Sequence, residues 1–182
     1  MENSAYAVTF ENDFVRIVEV TPEAHRKPPK YMAAALPMVR VIIDSDDLHL
    51  ARGSVHYCET APGDTNHSTR EIRVELKAAP KPSPMKLDAV LIDPRRYQIE
   101  FENDRVRIVR LGFGPHEKGI MVEHPPRVLV TLTDVAVKLR FADGRIDERG
   151  APVGVAAWLE GETLLTENAN PTPLEVVLIE PK

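Results

Sequence analysis

Side chains able to do covalent or metal chemistry are few in this sequence. It holds six histidines and a single cysteine in 182 residues. His56 and Cys58 stand two apart in the run His-Tyr-Cys-Glu, so on a strand both would face one side. Two soft ligands at that spacing make a metal site only if others converge on them from elsewhere. Cys58 as a nucleophile would need a base at a recognisable catalytic spacing, and none accompanies it, so a buried thiol is the simpler reading. His49 and His67 have no motif around them.

The elements that must carry these residues are strands. Tyr6 to Val18 reads YAVTFENDFVRIV and Tyr97 to Val109 reads YQIEFENDRVRIV, an offset of 91 residues that halves the chain. The two copies also end alike, in STREIRVELK and TPLEVVLIEPK. Between them lies AAPKPSPMKLD, whose prolines at 80, 82 and 84 favour an extended spacer. The expected organisation is a first domain over 1–77, a linker over 78–91 and a second domain over 92–182. In each copy the dominant period is two, as in Val106-Arg-Ile-Val-Arg-Leu and Val135-Ala-Val-Lys-Leu-Arg-Phe, and Asp143-Gly144 is a hairpin turn. FENDxVRIV reads structurally, with Phe10 and Phe101 packed inward and Asn-Asp forming a turn. The one helical candidate is Pro29 to Pro37.

Composition excludes several function classes. The apolar share of 43% and charged share of 28% are those of a globular protein. A net charge of −5 without a basic patch argues against nucleic acid as a partner. No run approaches the roughly 18 apolar residues of a membrane span. A lone cysteine and an N-terminus without a basic, apolar leader point to a cytoplasmic setting.

From Ile92 to Lys182 the residues FENDxVRIV, GPHEK, HPPxVxVxLTD and ENxxxxPLEVVLIE resemble a small cupin of the beta-alanine degradation group. The first half is similar more weakly, through FENDFVRIV and REIRVELK. The resemblance implies an all-β chain of two tandem jelly-roll cupin barrels, each commonly with a divalent metal inside, and often a homodimer. Asp44 to Gly53 spans nine positions where Asp134 to Gly161 spans twenty-seven, so the N-terminal barrel is shortened.

Metal-binding cupins place two histidines at H-x-H, a carboxylate four residues later, and a further histidine in a second motif. Carried onto this chain, those positions are Val122, His124, Val128 and Leu164, with Gly161 and Asn168 retained around the last. In the first half they are Ala33, Ala35, Val39 and His56. Neither half reaches the three or four ligands that zinc or iron requires, so no metal cofactor is expected. The family's loop before the metal strand corresponds to GPHEK with His116 and to PEAHRK with His25, which read as solvated. Trp158 would line or close the barrel mouth, as Tyr57 or Tyr31 would in the first half.

The leading expectation is a metal-poor two-cupin protein that binds a small apolar or carboxylated metabolite in the C-terminal barrel. Its pocket would hold His124, Val122, Val128, Leu164 and Trp158, with His56 in the other half. His124 would be the polar anchor, and Arg127, of opposite strand parity, would point outward. One alternative is a metal-dependent dioxygenase, decarboxylase or isomerase with an altered ligand set that includes His124, His116 or His56. Another is a structural dimerisation module whose strand edges pair two chains.

Overall fold

The first FENDxVRIV segment folds as a hairpin because Asn12 closes its turn. The Asn12 side-chain oxygen accepts from the backbone N–H groups of Phe14 and Val15, and the Asn12 N–H donates to the Val15 carbonyl. This computed structural model describes residues 6–22, 36–47, 49–60, 69–81 and 84–182, so the helical candidate and Ala33, Ala35, His25, Tyr31 and His67 lie outside the described residues. The chain divides into two units, Met1–Ala79 and Pro80–Lys182.

In the first unit the strands are β1 (Tyr6–Glu11), β2 (Val15–Val20), β3 (Met38–Ser45), β4 (Val55–Cys58) and β5 (Thr69–Leu76). They form one antiparallel sheet in the order β1-β2-β5-β3-β4. Val15, Ile17, Val39, Val41, Ile72 and Val74 alternate onto one face and are buried. The other face mixes apolar side chains, Val18, Met38 and Ile42, with a charged cluster: Glu71 on β5 accepts from Arg40 of β3 at 2.8 Å and from Arg73 at 2.5 Å, all three side chains being buried.

The second unit opens with a helical turn, α1 (Ala89–Ile92), whose N-cap Asp88 accepts from the Val90 N–H. Its strands are β6 (Tyr97–Glu102), β7 (Val106–Phe113), β8 (Val122–His124), β9 (Arg127–Thr131), β10 (Val135–Phe141), β11 (Ile146–Ala151), β12 (Ala156–Leu159), β13 (Glu162–Asn168) and β14 (Leu174–Pro181). One sheet runs β12-β9-β14-β7-β6 and the other β11-β10-β13-β8. From Lys86 onward the proline-rich segment is built into this unit. The N–H groups of Lys86 and Leu87 donate to the Glu123 carboxylate, and Asp88 pairs with Arg107.

The five-stranded sheets are repeats of each other. Asn103 closes the β6–β7 turn as Asn12 closes the first, and the same register shift falls at Val8/Phe10 and Ile99/Phe101. Arg16 with Glu75 recurs as Arg107 with Glu180, and the lysine that ends each copy, Lys77 or Lys182, bonds Glu11 or Glu102. Phe101, expected inside, is 37% exposed, because the register shift beside it turns the side chain out. Asp143-Gly144 makes the expected β10–β11 turn, with Gly144 at φ 87° and the Asp143 carboxylate accepting from the Arg145 N–H.

Among the described residues the first unit has no counterpart of the β11-β10-β13-β8 sheet. Register therefore equates β4 with β12, since each is the edge strand beside β3 or β9. His56 thus corresponds to Ala157, not to Leu164 of the second motif. Among the described residues β4 takes the edge beside β3 that β12 takes beside β9.

Candidate functional site

Between the two sheets of the second unit lies a cavity of about 200 Å³. Its wall is mainly apolar because alternate residues of three strands point into it: Leu129 from β9, Val137 and Leu139 from β10, Val176 and Leu178 from β14. Leu164 of β13 and Ala157 of β12 complete it. In the first unit the register partners of this wall are charged. Arg40 stands where Leu129 does, Arg73 where Leu178 does and Glu71 where Val176 does. Among the described residues the apolar barrel interior belongs to the second unit.

His124, Arg127 and Glu162 also border the cavity and form its polar end. His124 closes β8 and faces Glu162 of β13 in the antiparallel register, one pair along from Val122 and Leu164. The His124 ring is 5% exposed; its Nε2 makes a long 3.5 Å contact with the Tyr97 hydroxyl, and its Nδ1 has no hydrogen-bond partner among the described residues. Burial, and then the positive charges of Arg127 and Arg107, push its pKa down to about 2, so the imidazole is neutral. Burial likewise holds the Tyr97 hydroxyl protonated, well above the usual phenol range.

Arg127 is 3% exposed, and burial lowers its pKa despite the opposing fields of Glu162 and Glu180. Its Nη1 donates to the carbonyls of Pro125 and Glu160, and its Nη2 to the Glu162 carboxylate at 3.3 Å. Its Nε has no partner among the described residues. Arg107 in the same unit is better satisfied, at 2.5 Å from Glu180 and 2.8 Å from Asp88. Although burial opposes its charge, those carboxylates raise the Arg107 pKa above the ordinary guanidinium value.

The sequence assignments divide accordingly. His124 and Leu164 line the cavity, and Val122 shares their face but is fully buried in the adjoining core with Tyr97 and Leu111. Val128 does not line it, and Arg127 does. Pro125 and Pro126 separate β8 from β9 and break the parity that an unbroken strand would carry, so 127, 129 and 131 point in. Val128 lies instead on the opposite face with Val130, Val177 and Ile179. Trp158 also misses the cavity, since Ala157 and Leu159 take the inward parity; its indole N–H donates to Glu160 at 2.6 Å.

His56 is in the first unit, 3.0 Å from the Ser54 hydroxyl, and His116 is exposed in a loop at φ 53°. Neither joins His124. Strand parity alone points Arg127 outward, and sequence reasoning missed Glu162 and Tyr97; the Pro-Pro step was the available signal for Arg127.

The residues do not fit the divalent metal that such barrels imply. Val122 and Leu164 stand beside His124 where nitrogen ligands would be needed, and the Arg127 guanidinium brings positive charge to the same place. Among the described residues no three His, Cys, Asp or Glu side chains are grouped to hold a metal ion.

No family model matches the chain, and no curated protein matches its sequence. Solved structures do. A cupin 2 conserved barrel domain protein from Leptotrichia buccalis is similar over 97% of this chain and 88% of its own, at TM-score 0.56 and 10% identity. AerE from Microcystis aeruginosa is similar over 100% of this chain and 95% of its own, at TM-score 0.55 and 10% identity. A cupin domain from Bordetella pertussis covers 47% of this chain and 91% of its own, at TM-score 0.44 and 24% identity. The whole-length likenesses give the architecture: an all-β chain of cupin jelly-roll fold.

Proposed function

We propose that the second unit binds a small amphipathic carboxylate in its barrel, without a metal. The observation that carries this reading is a pair of unsatisfied polar atoms in a mainly apolar cavity, which Thr131, Arg149 and Thr166 also line: a buried Arg127 with an unsatisfied Nε, beside a neutral His124 with an unsatisfied Nδ1. A buried guanidinium without full hydrogen bonding is costly to fold around. An anionic oxygen supplied by a ligand removes that cost, and a charge-assisted bond in a water-poor site is strong.

An anion would meet cations here: Arg127 and Arg107 both act on the His124 ring, with Glu162 and Glu180 as the carboxylates acting on Arg127. If the Tyr97 hydroxyl donates to Nε2, the His124 proton sits on Nδ1 and is free to donate to the ligand. A cavity of about 200 Å³ corresponds to roughly seven water volumes, enough for a short hydrocarbon tail against Leu129, Val137 and Leu178.

The test is calorimetric titration with three matched compounds, hexanoate, hexanamide and hexanol. The expected result is measurable binding of hexanoate that exceeds both neutral analogues by at least tenfold. Equal affinity for all three would remove the role given to Arg127, and no binding by any would remove the pocket.

A further inference from the structure

We infer that Glu162 is the built-in counter-ion of this site: it pairs with Arg127 and is displaced when a ligand carboxylate takes its place. This inference rests on the carboxylate reading above and goes further, because it names the residue that sets how tightly an anion is held.

Three observations point to displacement rather than permanent pairing. The Arg127–Glu162 contact is 3.3 Å with one guanidinium nitrogen, whereas Arg107 meets its two carboxylates at 2.5 and 2.8 Å. Arg127 therefore has bonding capacity that Glu162 does not use, its Nε included. The Glu162 side chain is also 21% exposed while that of Arg127 is 4% exposed, so the carboxylate can be rehydrated and the guanidinium cannot.

The third observation is where Glu162 stands. A groove of about 520 Å³ in the same unit is bordered by Arg107, Glu123, Pro125, Pro126 and Glu180, and by both His124 and Glu162. These two residues are register partners, and both also border the barrel cavity. Glu162 thus has a solvent-facing space to move into. Specificity follows: a neutral ligand of the same shape has nothing with which to replace Glu162 on Arg127, whereas a carboxylate does.

Calorimetric titration of hexanoate and hexanol into the full-length protein and its Glu162→Gln variant tests this, with Glu162→Ala as a second variant. Circular dichroism and thermal melting verify that each is folded. Removing the competing charge is expected to tighten hexanoate binding at least tenfold in both variants and to leave hexanol within twofold. Unchanged or weaker hexanoate binding in both folded variants, with the wild type still binding, would overturn the counter-ion role and leave the carboxylate reading standing. An equal shift for hexanol would show that Glu162 merely shapes the wall, and would also overturn it. Failure of wild type and variants alike to bind hexanoate would overturn the carboxylate reading, and this inference with it.

Discussion

His124 and Glu162 face each other across the β8–β13 register, and each borders both the barrel cavity and the neighbouring groove. Cupin jelly rolls can present ligands to a metal from these strands. Here the same inward positions hold Val122, His124 and Leu164, and charge enters the site with Glu162 and with Arg127, which lies on the far side of a Pro-Pro step.

Replacing Arg127 by methionine should separate stability from binding. The guanidinium is buried, incompletely bonded and lowered in pKa by burial, so an apolar side chain of similar length should leave unfolding free energy within about 1 kcal/mol of wild type, or raise it. Hexanoate binding should fall at least tenfold. Arg107→Met is the contrast: it strands buried Glu180 and half-buried Asp88 and should cost about 3–5 kcal/mol in urea unfolding.

The neutrality of His124 has a pH signature. Its folded pKa is depressed to about 2 from an unfolded value near 6.5, so below that value the unfolded chain binds a proton that the native state does not. The linked stability is complete above about pH 6.5 and is lost as pH falls toward 2. Between pH 6 and pH 5 wild type should lose up to about 1.4 kcal/mol more than His124→Gln, in denaturant titrations of both proteins.

Filling the chamber should abolish binding without harming the fold. Ala157 lines the cavity from β12, and Ala157→Leu adds apolar volume to empty space, so its melting temperature should equal or exceed that of wild type. Hexanoate and hexanol binding should both disappear. Retention of either would place the ligand elsewhere.

The repeat was the most legible feature of the sequence because its turn is chemically explicit. Asn12 and Asn103 each cap two N–H groups, and the lysine closing each copy reaches back to the glutamate at the end of β1 or β6. Asn168, retained from the second motif, was legible too; it is buried, with its amide donating to the carbonyls of Gly114 and Thr172. Less was legible where local period and three-dimensional register part company.

Val128 was assigned to the pocket by counting along one strand, but Pro125 and Pro126 end that strand and restart the parity at Arg127. A glycine spacing matches His56 to the second motif, whereas the register of the described strands puts β4 at the edge position of β12. Glu162 and Tyr97 could not be read at all. Their roles come from cross-strand register and from a 3.5 Å contact between residues 27 positions apart.

The central claim is that an anionic ligand sits with its carboxylate on Arg127 and its tail in the barrel. The most direct test is a set of intermolecular nuclear Overhauser contacts between hexanoate and methyl-labelled protein. The account predicts contacts from the terminal methyl of the ligand to the methyl groups of Leu129, Val137 and Leu178. Contacts confined to residues of the groove, or none to these three methyl-bearing side chains, would contradict it.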